Sequence, residues 1–424
     1  MKTQKDIPYG TSDFRSLIQQ KMYYVDKTRF IEEMEGGRYS FLFFLRPSGF
    51  GKSLLLSTLN YYYGIQYKDE FDSLFGGLYA GKNPTDTRNS YYVMNFDFSE
   101  LNASALENIM ADFNDAVLKG LIAFNNQYKF LDQEEFGKIC KNTYPSFTLA
   151  DYTTYIQHKL KHNIMILIDE YDSFTNDTLS YHFTSLADIV SKNAFVRTFY
   201  EVIKHLTGQG TVSKFLGTGV LPISLDSMSS GFNIATDISG EAKFNEMAGF
   251  TAAEVKQMVY DFFPGITDSA ADTIMKDAAD WYNGSLFSAR AKTKIYNPAM
   301  LLRFISKINP GTLAYPRDIV DTNVESDFSK INNFIGIQDR DQNLEAVKTI
   351  LKTGTYNTQL TRIYSFERNF TVEDFISLLY YNGLLTIKEP LDFVLSFEIP
   401  NYVIKEVYWR FFCESVEENR EDNG

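Results

Sequence analysis

The chain has 424 residues, 44% of them hydrophobic, with a formal net charge of −13 and a sequence pI of about 4.9. That length and apolar content point to two or three domains with a substantial core. The acidic balance excludes strong non-specific DNA binding by the chain alone, because a negative surface repels phosphate backbones; DNA is expected only through a partner or a local basic patch. Cys140 and Cys413 lie too far apart for a metal motif or a disulfide framework. No apolar run is long enough to span a bilayer, and residues 1–6 lead into no secretion signal, so no membrane contact and a cytoplasmic location are expected.

Near the N-terminus, Tyr23-Tyr24-Val25-Asp26-Lys27-Thr28 reads as extended, and residues 30–36 as a helix stopped at Gly36-Gly37. Phe41-Leu42-Phe43-Phe44-Leu45 then forms a buried strand. It runs into Arg46-Pro47-Ser48-Gly49-Phe50-Gly51-Lys52-Ser53, and Leu54, Leu55, Leu56 and Leu59 continue a helix packed on a core. Strand, glycine-bearing loop and Gly-Lys-Ser at a helix start are the layout of a phosphate-binding P-loop, in which backbone N–H groups and the helix N-terminus wrap the β-phosphate. Arg46, Pro47, Ser48, Gly49, Phe50, Gly51, Lys52, Ser53 and Leu54 are the candidate ATP-binding residues. Lys52 reaches the β- and γ-phosphates, and Ser53 offers its hydroxyl to Mg²⁺. The usual pattern has a first glycine where this chain has Arg46; Gly49 and Gly51 supply flexibility instead. The competing reading is a strand-to-helix turn that needs a glycine, which the apolar context on both sides disfavours. A segment just upstream of such a strand is placed to cover the base, so Tyr23, Tyr24, Asp26 and Lys27 are candidates for that contact; core packing of the tyrosines is the alternative.

After a loop marked by Gly64 and Gly76-Gly77, residues 91–98 read as a second strand and 103–125 as a helix. Residues 130–145 read as irregular. Residues 149–161 read as a helix; His158 and His162, spaced i,i+4, read as a solvated helix face, since as metal ligands they would need a third partner that the sequence does not offer. Ile164-Met165-Ile166-Leu167-Ile168 then runs into Asp169-Glu170-Tyr171-Asp172. An apolar strand with acids at its carboxyl end has the form of a Walker B strand. Asp169 is the candidate Mg²⁺ ligand and Glu170 the base that orients water, with Asp172 behind them. The spacing of 117 positions from Lys52 leaves room for an intervening strand and helix. Residues 181–206 read as largely helical. Residues 212–220 read as a further strand. Resemblance to the larger class of P-loop ATPases with a catalytic glutamate beside Walker B implies that it inserts between the other two and that Thr218 at its end is a γ-phosphate sensor, the alternative being merely a turn residue, with Ser224 and Asp226 just beyond.

Thr251-Ala252-Ala253-Glu254 opens a helix with a capping box, Trp281-Tyr282-Asn283-Gly284 ends one, and Asn297-Pro298 starts another. Residues 372–381 read as a helix, 384–387 and 393–399 as a hairpin around Pro390, and 403–412 as a closing helix. The fold class is therefore α/β: a P-loop core with a parallel sheet over 1–249, a helical, lid-like domain over 250–345, a winged-helix-like module over 346–416 and a frayed tail over 417–424.

Several stretches in order resemble the AAA-ATPase-like family: Ile7-Pro8-Tyr9-Gly10, Tyr24-Val25-Asp26-Lys27-Thr28, Arg46-Pro47-x-x-Phe50-Gly51-Lys52-Ser53, Asp169-Glu170-Tyr171-Asp172, Gly219-Val220-x-Pro222-Ile223-Ser224-Leu225-Asp226-Ser227 with Ser230-Gly231-Phe232-Asn233, and Trp281-Tyr282-x-Gly284. Arg46 in place of the first glycine is itself a feature of that family. The resemblance implies an ATPase core of the class that places a catalytic glutamate beside Walker B, followed by a helical region. It also implies, in many members, a PD-(D/E)XK nuclease-like domain beyond the point where this chain stops. No carboxylate–lysine set of that kind is found here, which leaves a short form or a removed domain as the alternatives. The chain departs from the family at Ser173-Phe174, where a proline commonly follows the acids, and at Ser285-Leu286-Phe287, where Tyr-Arg-Phe is usual.

The expected function is Mg²⁺-dependent ATP binding and hydrolysis that controls the chain's own conformation or a partner. The catalytic residues are Lys52 and Glu170; the metal ligands are Ser53 and Asp169. An arginine finger comes from Arg197, Arg290 or a partner subunit in a homo-oligomer, so the lone chain is expected to be slow. The alternatives are a non-hydrolysing ATP-binding scaffold and the regulatory part of a nuclease or defence system that acts on DNA through a partner.

Overall fold

Five strands form one sheet in the order β2-β3-β4-β1-β5, every pair parallel. They are β1 (Phe41–Leu45), β2 (Tyr92–Asp97), β3 (Ile164–Asp169), β4 (Val212–Gly219) and β5 (Thr236–Asp237). The structure, a computed structural model, describes residues 6–37, 39–101, 109–173, 194–223, 234–315, 331–364 and 369–421. Ser224, Asp226 and the motif residues 227–233 lie outside that set, as do residues 181–193 of the expected helix.

The unbroken apolar composition of β3 has a direct cause. Helices cover both faces of the sheet, so Ile164, Met165, Ile166, Leu167 and Ile168 are all buried. Each such side chain contributes roughly 1.5–3 kcal/mol by leaving water. The strand inserted between β1 and β3 is β4, as the resemblance to P-loop ATPases with a glutamate beside Walker B implies. Register pairs Leu45 with Gly219 and Ile168 with Gly217, so the carboxyl ends of β1, β3 and β4 finish level. The helix Lys52–Tyr63 follows the loop after β1 and buries Leu56, Leu59, Tyr62 and Tyr63.

Several local differences from the sequence reading have physical causes. Residues 130–145 are not irregular throughout. Gln133–Ile139 is a helix, and Asp132 and Glu135 close a reciprocal capping box at its start. The loop after Tyr63 contains short helices at Phe71–Phe75 and Tyr79–Lys82. The hairpin turn lies at Asp392-Phe393 rather than at Pro390, which sits inside β7 (Thr386–Leu391). Pro390 is tolerated there because β7 is the edge of the antiparallel sheet β6-β8-β7, with β6 at Tyr356–Thr358 and β8 at Val394–Glu398. The last helix, Tyr402–Glu421, continues through residues expected to fray.

The second half of the chain docks on the sheet's carboxyl edge. The helix Ala252–Phe262 is opened by the Thr251–Glu254 capping box, as expected. Glu254 also holds Lys27 of the N-terminal segment at 2.7 Å. The helices Asp268–Tyr282 and Pro298–Lys307 follow. Lys294 pairs with Glu398 at 2.8 Å, and Asn401 donates to the Asn283 carbonyl at 3.0 Å, which fastens the hairpin to this helical part.

Candidate functional site

The loop after β1 turns at Gly49 (φ +80°) and Gly51 (φ +93°), both left-handed, before the helix Lys52–Tyr63 begins. Gly49 is doubly constrained. A Cβ there would stand 2.9 Å from the Asn297 side chain and 3.0 Å from Ala299, so only glycine fits without displacement. The loop forms one wall of a cavity of about 450 Å³ lined by Ser48, Gly49, Phe50, Gly51, Lys52, Ser53 and Leu54. Pro8–Ser12 and part of the 23–28 segment form a second wall, and Met247–Phe250 with Pro298, Ala299 and Leu302 a third. This volume falls in the range of small-molecule sites.

Glu170 faces the same cavity. Its Oε1 lies 3.2 Å from Lys52 Nζ, and the lysine is only 4% exposed. Glu170 itself occupies the left-handed region (φ +51°), an uncommon conformation for a residue with a β-carbon. Cross-strand bonds hold it there: Phe98 N–H donates to the Asp169 carbonyl at 3.1 Å and Tyr171 N–H to the Thr218 carbonyl at 2.9 Å. Asp169 ends β3, and the Thr218 hydroxyl donates to its Oδ1 at 2.6 Å. Thr218 is fully buried and does not line the cavity, so its contact is with the acid.

Asp172 closes the strand ends from below. It is fully buried and accepts the N–H groups of Val220 (3.1 Å) and Leu221 (2.6 Å). A Cβ on Gly219 would come within 2.1 Å of Asp172 Oδ1, so this approach needs glycine. Burial raises the Asp172 carboxyl to about 7, and the Glu170 charge adds to the rise, against the two N–H bonds and Lys52. Among the described residues, Tyr171 and Tyr200 are also close enough to feel its charge. The folded acid is raised above its ordinary 3.8, so between about pH 4 and 7 the unfolded chain holds fewer protons and stability falls as pH rises. Asp172→Asn removes that slope. Relative to wild type, the variant is expected to gain on the order of 3 kcal/mol between pH 4.5 and 7.5 in urea unfolding. A constant difference across that range would contradict a buried, titrating Asp172.

The Arg46 side chain serves a different purpose from the one its place in the loop suggests. Its guanidinium donates to the carbonyls of Leu45 (2.8 Å), Ser239 (3.0 Å) and Phe244 (2.9 Å) and lies between the rings of Phe44 and Phe287, each 4.3 Å away. Arg46 and Pro47 line a separate cavity beside β5 and the hairpin, not the one that holds Lys52. Burial lowers the guanidinium to about 10, with Tyr380 and Asp237 opposing the shift. Restoring the usual glycine, Arg46→Gly, strands buried carbonyls and empties a large volume. The expected loss is about 3 kcal/mol or more in chemical denaturation, with ATP affinity of the folded protein unchanged. A variant as stable as wild type that loses ATP would make Arg46 a nucleotide ligand after all.

Of the base-covering candidates, Tyr23, Tyr24 and Lys27 line the cavity and Asp26 does not. Asp26 instead accepts from Thr28 and from the Tyr79 N–H. Burial lowers the Lys27 ammonium against the opposing pull of Glu254. Neither finger candidate reaches the cavity: Arg197 pairs with Glu201 at 2.9 Å on its own helix, and Arg290 lines the second cavity. Sequence reasoning missed Met247, Gly249, Asn297, Ala299 and Leu302. For Asn297 the Asn-Pro helix start was the only signal, and it spoke of capping alone.

The chain matches the family described as Predicted AAA-ATPase, AAA-ATPase-like, over residues 8–229, just over half its length. It is 26% identical over 307 residues to "Uncharacterized protein in vnfD 5'region" of Azotobacter chroococcum mcd 1, a match that takes in 72% of this chain and 52% of that protein. The chain thus spans about half the length of that curated relative. The Aeropyrum pernix ORC1 protein, solved in complex with DNA, aligns over 96% of this chain and 95% of its own at 9% identity and a TM-score of 0.34, too low to carry an argument about this chain. No described helix is long and apolar enough to cross a membrane.

Proposed function

The chain belongs to the AAA-ATPase-like family, and from that premise we propose that its cavity binds ATP with Mg²⁺ and hydrolyses it. One observation carries the reading: an almost fully buried lysine at a P-loop and a strand-end glutamate from β3 meet at 3.2 Å in one cavity. In that assignment the loop N–H groups and Lys52 bind the phosphates, and Glu170 takes a proton from water. The oxygen donors of Ser53 and Asp169 are the type that Mg²⁺ prefers, and the ion would supply charge neutralisation on the phosphates. Thr218 orients Asp169 through its 2.6 Å bond. Tyr23, Tyr24 and Lys27 form the wall for the base.

The division into a core to residue 249, a helical part to 345 and a winged-helix-like module to 416 is part of the same reading, with nucleotide state setting how these parts pack. An arginine from a second subunit or partner protein would complete the site, so turnover by the lone chain is slow. The direct test compares ATP binding and phosphate release by wild type, Lys52→Ala and Glu170→Gln. Wild-type protein that binds no ATP overturns the reading.

A further inference from the structure

Three successive carbonyls of the loop each accept a hydrogen bond from far along the chain. Asn297 Nδ2 donates to Ser48 O at 3.1 Å, Ala299 N–H to Gly49 O at 3.2 Å and Gly249 N–H to Phe50 O at 3.2 Å. A trans peptide unit is planar, with its C=O and the following N–H pointing in opposite directions. Turning the carbonyls of 48, 49 and 50 toward the helical part therefore turns the N–H groups of Gly49, Phe50 and Gly51 the other way. Among the described residues those three N–H groups meet no protein acceptor. They are left for an anion, which is what a phosphate loop requires.

Asn297 has a second task at the same time. Its Oδ1 accepts the N–H groups of Ala299 (3.0 Å) and Met300 (3.3 Å), which caps the helix Pro298–Lys307. One amide thus uses its acceptor on its own helix and its donor on the loop. We propose that Asn297 is a positioning residue of the phosphate site, and that the helical part pre-organises the loop through it. The proposal rests on the nucleotide reading above. It deepens that reading, because the loop's geometry then depends on residues outside the sheet.

Two substitutions separate the tasks. Asn297→Ser keeps a helix-capping oxygen but cannot reach Ser48. Asn297→Asp keeps the capping oxygen and the shape but replaces the donor with a second acceptor facing that carbonyl. Both are expected to melt close to wild type without ligand. Both are expected to bind ATP and inorganic pyrophosphate about tenfold more weakly in calorimetry, the equivalent of one lost hydrogen bond to an ordered loop. Amide exchange at Gly249 should rise by a similar factor, because its acceptor loosens, while Met300 stays as in wild type.

Wild-type affinity and wild-type exchange at Gly249 in both variants would overturn the proposal. Affinity that falls in step with melting temperature in Asn297→Ser but recovers in Asn297→Asp would also overturn it, since that marks a helix-cap role alone. If wild type binds neither ATP nor pyrophosphate, the nucleotide reading fails by itself. Exchange at Gly249 then still decides whether Asn297 holds the loop.

Discussion

Lys52→Ala protein is expected to bind ATP at least ~100-fold more weakly than wild type. A charge-assisted hydrogen bond contributes about 1.5–3 kcal/mol, and a lysine bridging two phosphates makes more than one; tenfold in affinity is about 1.4 kcal/mol. Lys52 is 4% exposed and pairs with Glu170 at 3.2 Å, whereas Lys27, the other lysine that lines the cavity, is held by Glu254 at 2.7 Å. Glu170 is 27% exposed and can rehydrate when its partner is gone, so the fold should survive. Calorimetric titration of ATP, with a thermal melt as the folding control, measures this. Folded variant with affinity within threefold of wild type would remove Lys52 from the site.

Glu170→Gln should separate binding from turnover. General-base assistance contributes typically 10²–10⁴-fold, so phosphate release is expected to fall by about that much. Binding should be retained or tighten by up to about fivefold, because the carboxylate now competes with phosphate for Lys52 and repels the triphosphate. The substitution leaves the left-handed backbone in place, since the bonds from Phe98 and Tyr171 are main-chain. Equal phosphate release by the two proteins would mean that Glu170 is not the base. Weaker ATP binding in the variant would mean that the Lys52 contact is part of the bound state rather than a competitor.

The sheet was legible because its strands are buried on both faces. Such strands leave unbroken apolar runs, and β3 announces its carboxyl end with Asp169 and Glu170. The insertion of β4 between β1 and β3 is not written in the apolar runs; it follows from the resemblance to P-loop ATPases with a glutamate beside Walker B, and the sheet order agrees with it. Arg46 was harder. A cation inside a phosphate loop reads as a ligand, and only the packing of β5 and Phe287 around it shows the guanidinium committed to carbonyls. Asn297 was invisible for another reason: capping chemistry is local and shows in the sequence, whereas its bond to Ser48 spans 249 positions and leaves no spacing signal. The helix Gln133–Ile139 was missed although its capping box was present at Asp132 and Glu135. Polar composition in 130–145 outweighed a signal only four residues long.

The loop at Ser48–Phe50 takes its outer supports from residues 249 to 299, and this bears on how the protein is made. A ribosome that has finished the loop must still add about 250 residues before Ala299 can reach it. At bacterial and eukaryotic elongation rates that delay is on the order of 10–50 s. For about the first two-thirds of the interval the nascent sheet also lacks β4, the neighbour of β1, and throughout it the loop is without its outer supports. On the nucleotide reading, ligand can therefore meet an oriented loop only after residue 299 has been added, and fragments arrested before that point would be passed over by nucleotide and exposed to chaperones instead.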